Sequence, residues 1–210
     1  MALLNKAVED GVIHQNPIKG WKRLSEPTDE RVRYLEPDER DRFMVALGFE
    51  PLYFQTFVKL ALLTGLRRGE LLQLTWAHID MKLAQITVRA GTAKSNKKRF
   101  VPCPSAAMDV LRVWRQKQKV IDTSRYLFMN PATGKPYYGI KRRWASVCKV
   151  ASIENFRFHD CRHDYASRLV QKGADLYKVK ELLGHSSFEL TQRYAHLSDE
   201  SKREVVELLS

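Results

Sequence analysis

The chain has 210 residues, 44% hydrophobic and 29% charged, a balance that suits a soluble folded protein with a sizeable core and excludes a disordered or fibrous one. Lys and Arg number 36 against 24 Asp and Glu, and the resulting net charge of +12 points to a polyanion such as nucleic acid or to an anionic membrane face. No apolar run is long enough to span a bilayer, and the early charges of MALLNKAVED do not fit a signal peptide. The three cysteines, Cys103, Cys148 and Cys161, lack C-x-x-C spacing and read as reduced intracellular thiols.

In chain order, the opening residues predict one helix ending near Gly11, then a turn at Asn16–Pro17. The polar stretch SEPTDERVRY has the composition of a linker, so the main domain is expected to begin near Tyr34. Pro37 suits a first helical position, with Asp38 and Glu39 complementing the helix dipole, and that helix should run to about Leu47. A second apolar helix is predicted over about 52–63, stopping at Gly65, and RGELLQLTW starts a short third one. AQITVR (84–89) and RFVPC (99–103) alternate as a hairpin around the basic turn AGTAKSNKK, and RYLF (125–128) is a candidate third strand. Helices follow from a cap at Ser105 to about Lys119 and over about 138–150. Another runs through HDCRHDYAS to Gly173, and Asp175 caps LYKVKELL up to Gly184. A capping box at Ser186–Glu189 should open a helix reaching Tyr194, and a last amphipathic helix is predicted over about 199–209. The fold class expected is mainly α with a small antiparallel β-sheet (α+β).

Several charges run against this pattern. On a helical wheel, Cys161, Tyr165 and Leu169 form the apolar face of 159–173, and Asp160, Asp164, Ser167 and Gln171 the solvent face. His159, Arg162 and His163 then fall toward the interior side, where an arginine needs an anionic partner. The alternatives are a structural ion pair with a core histidine, or an anion site. A zinc site is suggested by the His-x-x-x-His spacing, but Arg162 and the lack of a third ligand at standard spacing count against it. In TGLRRGELLQLTW two arginines, Arg67 and Arg68, stand at a helix start, where a bound phosphate would account for them and Glu70 could orient one. The hairpin loop carries Lys94, Lys97, Lys98 and Arg99, and Lys141, Arg142 and Arg143 form a second basic cluster. Either is a solvated surface or a contact to the backbone of a nucleic acid. His185 lies in the tight corner between two helices, and Tyr194 near the end of the second.

Taken together and in this order, TGLRRGEL, AKSNKKR, HDCRH and LGHSSFELTQRYAHL resemble the motifs of the tyrosine recombinase catalytic domain, the phage integrase family, over about residues 30–197. The resemblance implies that Tyr194 is the nucleophile and that Arg67, Arg162 and His185 cradle the scissile phosphate. Lys94 would protonate the leaving 5′ oxygen and His159 would assist proton transfer, with Glu70 and His163 in supporting positions. Arg68, Lys97, Lys98, Arg99, Lys141, Arg142 and Arg143 would contact DNA. Cys161 departs from the leucine more usual at its position, a change between two packing residues.

The implied reaction is attack of Tyr194 on a phosphodiester to give a 3′-phosphotyrosine and a free 5′-hydroxyl, with strand exchange and religation that use no ATP, metal or other cofactor. The expected partner is double-stranded DNA, bound by a homo-tetramer with room for accessory DNA-bending proteins, in the cytoplasm and away from membranes. Residues 1–29 are expected to be the last helix and linker of a core-binding domain, 30–197 the catalytic domain, and 198–210 a C-terminal helix docking on a neighbouring subunit or on its own domain. A type IB topoisomerase shares this chemistry, and a DNA-binding module that has lost catalysis is the alternative of a different class.

Overall fold

The computed structural model describes residues 2–20, 32–89, 98–119, 122–137 and 139–198. The chain divides into two units, 1–31 and 32–210. In the first, helix α1 (Ala2–Glu9) ends before Gly11, and the Asn16 amide bridges back to the Asn5 side chain at 2.6 Å.

The second unit begins with an extended entry into helix α2 (Pro37–Gly48). Proline at the first helical position is pre-set for the helix, and the Glu39 carboxylate reaches back to the Glu36 amide at 3.1 Å. Helix α3 (Leu52–Thr64) is apolar nearly all round, as expected of a helix with no solvent face, and Phe54, Val58, Leu60 and Ala61 are fully buried. It packs against α5 (Ser105–Gln118) and α7 (Asp160–Gln171), while α2 packs on α6 (Lys141–Val150). Phe43, Trp144, Phe156 and Phe158 form an aromatic cluster between these elements, and the Trp144 indole donates to the Phe156 carbonyl at 2.9 Å.

Gly65 ends α3 in the left-handed conformation at φ +63°, and the short α4 (Arg68–Leu72) follows. The sheet is three-stranded and antiparallel in the order β1 (Ile79–Asp80), β2 (Gln85–Val88), β3 (Arg99–Pro102). Ile86 pairs with Val101 and Val88 with Arg99, so Ile86, Val88 and Val101 face the core and Phe100 faces out. Helix α8 (Leu176–Leu183) is capped by Asp175, which accepts from the amides of Tyr177 and Lys178, and ends at left-handed Gly184. Helix α9 (Glu189–Gln192) and a 3₁₀ turn over Ala195–Leu197 complete the described residues. A small second core, made by Ala166, Val170, Val179, Leu183 and Tyr194, joins α7 and α8 to this segment.

The fold class is as the sequence predicts, with several local corrections. The third strand is Ile79–Asp80; residues 125–128 make only an isolated bridge, Thr75 to Tyr126. Pro104, not Ser105, is the N-cap of α5, and α6 starts at Lys141. The expected capping box at 186–189 is absent: Phe188 sits at the N-cap, and the helix stops before Tyr194. The wheel of 159–173 also needs correction, because Asp164 and Ser167 are both 0% exposed. Asp164 is held from outside its own helix, by Arg40 at 2.7 Å and by the Leu35 amide at 3.1 Å, so a polar residue marks a buried tie rather than a solvent face. The predicted linker at 25–34 lies mostly, and the last helix (199–209) wholly, outside the described residues.

A β-carbon at Gly65 would lie 2.5 Å from the Tyr165 ring, on a backbone that L side chains rarely adopt. Gly65→Ala should therefore cost about 2–3 kcal/mol, from the left-handed φ and overpacking together, read as a lower urea midpoint.

Candidate functional site

The site is assembled where three helix ends meet. Arg162, in the first turn of α7, is 3% exposed, yet no carboxylate among the described residues pairs with it. Its guanidinium donates instead to the Gly65 carbonyl at 2.9 Å and the Leu183 carbonyl at 2.5 Å. These carbonyls stand at the C-terminal ends of α3 and α8, where the peptide dipoles place partial negative charge. The structural ion pair weighed from the sequence is thus replaced by two dipole ends, which hydrogen-bond the cation without neutralising it. Burial, and then the charge of Arg67, push Arg162 down to about 9, still cationic at neutral pH.

Arg67 is the residue before α4. Its amide donates to Glu70 Oε2 at 2.9 Å and its guanidinium to Oε1 at 3.2 Å. Glu70 is fully buried and carries a second arginine: Arg99, at the start of β3, forms a two-bond fork to it at 2.8 and 2.8 Å. Burial pushes the Glu70 carboxyl up, but the Arg99 fork and Arg67 outweigh it and hold the group below its ordinary value. The Arg99 side chain also lies against Gly184, where an added β-carbon would come within 2.9 Å of it. One carboxylate therefore joins the TGLRRGEL segment to the hairpin base, and Arg99 carries the connection to the residue before His185. The sequence shows the orienting role of Glu70 but not its second arginine, which is 29 residues away.

The histidines surround these cations. His159 directly precedes α7, and its ring lies 5.3 Å from that of His163, centroid to centroid. His163 Nδ1 is 2.7 Å from the Tyr194 hydroxyl, and His185 Nδ1 is 2.7 Å from the Thr191 hydroxyl. Burial is the main cause that lowers all three, and Arg162 and Arg193 add to it in each; His163 is pushed to about 4 and His185 to about 3. Tyr194 is 1% exposed, and burial raises its phenol to about 12 against the opposing pull of Arg162 and Arg193. Arg193, next to Tyr194 in TQRY, acts on all three histidines and on Tyr194, and sequence reasoning passed over it.

The structure thus brings Arg67, Glu70, His159, Arg162, His163, His185 and Tyr194 together from four separate segments. Lys94 and Lys97 lie outside the described residues. Of the other basic candidates, Lys141 and Arg142 are exposed and Lys98 lies over the Phe100 ring at 5.0 Å. Arg68 is half-buried at the start of α4. Arg99 is turned inward to Glu70, and Arg143 is engaged by Glu50 at 2.9 Å and by the Tyr53 hydroxyl at 2.8 Å. Among the described residues no three His, Cys, Asp or Glu side chains come together as a metal-binding group.

Two outcomes follow. Glu70→Gln removes the shared carboxylate and leaves two arginines without it, and should cost about 3 kcal/mol in urea unfolding. The depressed histidines set a pH dependence. Unfolded histidines take up protons near 6.5, whereas His163 and His185 resist until about 4 and about 3. The unfolded state then binds more protons, so the stability these two groups contribute is complete above pH 6.5 and is lost as the pH falls toward 4 and 3. Urea midpoints of the free protein from pH 7.5 downward should fall accordingly.

Comparison with known proteins agrees with this architecture. The model of the phage integrase family matches residues 33–201. The integrase of Salmonella phage P22 is 35% identical over 183 residues, which are 84% of this chain and 46% of that protein, so the chain spans about half the length of this relative. Among solved structures, the XerA recombinase matches with a TM-score of 0.68 at 26% identity, covering 90% of this chain and 66% of that one. The Tn1549 transposon integrase, solved in complex with a circular intermediate DNA, matches in fold with a TM-score of 0.70 at 20% identity over 100% of this chain and 76% of its own. With the family match extending over most of its length, and with the segments that carry the motifs converging on one site, this chain belongs to the phage integrase family.

Proposed function

We propose that the chain is the catalytic part of a site-specific DNA recombinase in which Tyr194 attacks a scissile phosphodiester. The observation that carries this reading is Arg162: a buried guanidinium that, among the described residues, bonds only to helix-end carbonyls, with the charge of a second arginine and a tyrosine bearing on it. Such a cluster holds surplus positive charge in a low-dielectric setting, and its natural complement is an anion. Duplex DNA supplies that anion, and the net charge of +12 together with exposed Lys141 and Arg142 suits a phosphate backbone. A likeness in fold to an integrase solved on DNA supports the same partner.

The chemistry follows from the groups present. A phosphodiester repels an oxyanion nucleophile until its charge is offset, and Arg67 and Arg162 are the cations to offset it, with His185 as a neutral hydrogen-bond donor to the charge that builds in the transition state. The Tyr194 oxygen forms the bond to phosphorus as the bond to the 5′ oxygen breaks, and Lys94 supplies the proton to that oxygen. The phosphotyrosine keeps the bond energy, so a 5′-hydroxyl from a second strand reverses the step without ATP. In this reading Glu70 positions Arg67, and His159 assists proton transfer. The expected last helix and linker of a core-binding domain in residues 1–29, a tetramer built on DNA and accessory DNA-bending proteins belong to the same reading. No helix among the described residues is long and apolar enough to cross a membrane.

The test is a nicked suicide duplex, which traps the covalent complex by losing the 5′-hydroxyl fragment. The chain should form an adduct that maps to the peptide containing Tyr194, and Tyr194→Phe should form none. An adduct that survives this substitution would sink the assignment, and relaxation of supercoils without exchange between sites would favour the topoisomerase-like alternative.

A further inference from the structure

We propose that His163 is a catalytic residue: its Nδ1 takes the phenolic proton of Tyr194 as the tyrosine attacks, and returns it on religation. This deepens the proposed function and rests on Tyr194 being the nucleophile. The geometry points to His163 rather than to His159, which the resemblance implies for proton transfer. His163 Nδ1 lies 2.7 Å from the Tyr194 oxygen, within direct transfer distance, whereas His159 meets His163 at a ring-centroid distance of 5.3 Å.

Burial makes this contact the proton's route. Tyr194 is 1% exposed, so bulk water does not serve its hydroxyl, and the imidazole nitrogen is the hydrogen-bond partner it has among the described residues. For the phenol to donate, Nδ1 must be the unprotonated nitrogen and Nε2 must carry the hydrogen, a neutral tautomer that suits the depressed His163.

The surroundings also explain how the base is held back. The groups that act on His163 are His159 at the N-cap of its helix, Arg162 within it, Arg193 from the segment after α9, and Tyr194 itself. The positive charge of Arg162 and Arg193 opposes an imidazolium. A phosphate seated between Arg67 and Arg162 cancels part of that charge, so His163 becomes a competent base only when the substrate is in place. The step balances: the Tyr194 oxygen forms its bond to phosphorus while its proton passes to His163, and the bond from phosphorus to the 5′ oxygen breaks with that oxygen protonated by the leaving-group acid. In the reverse direction the phosphorus–phenol bond breaks and His163 gives its proton back to the phenolate.

The experiment is single-turnover cleavage of the nicked suicide duplex by the full chain, across pH, for His163→Asn and His163→Gln. Each variant is made with natural tyrosine and with a ring-fluorinated, more acidic tyrosine at position 194. Asparagine places a polar atom near Nδ1 and keeps a hydrogen bond to Tyr194 without being able to hold its proton. Cleavage by His163→Asn should fall about 100-fold at neutral pH, the loss of a general base. The deficit should shrink as pH rises, and the fluorinated tyrosine should recover most of the rate. His159→Gln should not be recovered in this way. A deficit in both His163 variants that neither pH nor the fluorinated tyrosine changes, or wild-type rates in either variant, would overturn the proposal. If the variants fold poorly, the fluorinated tyrosine in the otherwise unaltered chain decides it. The acidic limb of the rate profile should keep its position if His163 must still be unprotonated, and should follow the phenol if no base intervenes. An adduct formed by Tyr194→Phe would instead refute the underlying choice of nucleophile.

Discussion

One guanidinium organises this domain. Arg162 reaches from α7 to the last carbonyls of α3 and α8, and so fixes three helices by two hydrogen bonds in a place where a lone charge would be costly. The arrangement requires each partner helix to end abruptly and to present its carbonyl inward. Both end in a left-handed glycine, Gly65 and Gly184, and both glycines are packed too closely for a β-carbon, by Tyr165 and Arg99 respectively. The glycines of TGLRRGEL and LGHSSFEL are therefore part of the cation's housing as much as of the chain's path.

Because dipole ends compensate Arg162 without cancelling it, the free site is electrostatically unfinished. Two arginines with their own partners, Arg67 and Arg99, share one carboxylate, and Arg162 and Arg193 bear on all three histidines and on the tyrosine. The half-buried His163 and His185 are held toward neutral and the buried tyrosine toward its protonated form. Both are the proton states from which an attack on a phosphate would start: burial keeps the phenol protonated against the pull of the arginines, whereas burial and the same positive charge act together to keep the imidazoles neutral.

Much of this was legible in the chain. Glycine and proline punctuation placed α2, α3, α5 and α8 to within a few residues, and four short motifs gave most of the side chains that converge. What the sequence concealed is long-range. Ile79–Asp80 is too short to alternate and becomes a strand only by pairing with Gln85–Ile86. Leu127 and Phe128 look like strand residues because they are buried, but the Leu127 amide bonds the Leu74 carbonyl in an isolated link. Asp164 looks like a surface residue until Arg40, 124 residues earlier, is beside it. A helical wheel assumes one wet face, and α7 is enclosed on nearly every side. The inward turn of Arg99 was hidden for the same reason, since a basic run on a hairpin gives no sign that its last member serves a buried carboxylate.

That inward turn has a consequence for Lys94. Arg99 is held by two short bonds, and only five peptide units separate it from the lysine. Covalent geometry alone then confines the Lys94 α-carbon to within about 18 Å of the Arg99 α-carbon. If Lys94 is the acid of the proposed reaction, that tether bounds the volume its ammonium can search, and so the effective concentration at which it acts. Glu70, by anchoring Arg99, would in the proposed reaction bear on the supply of acid to the leaving oxygen.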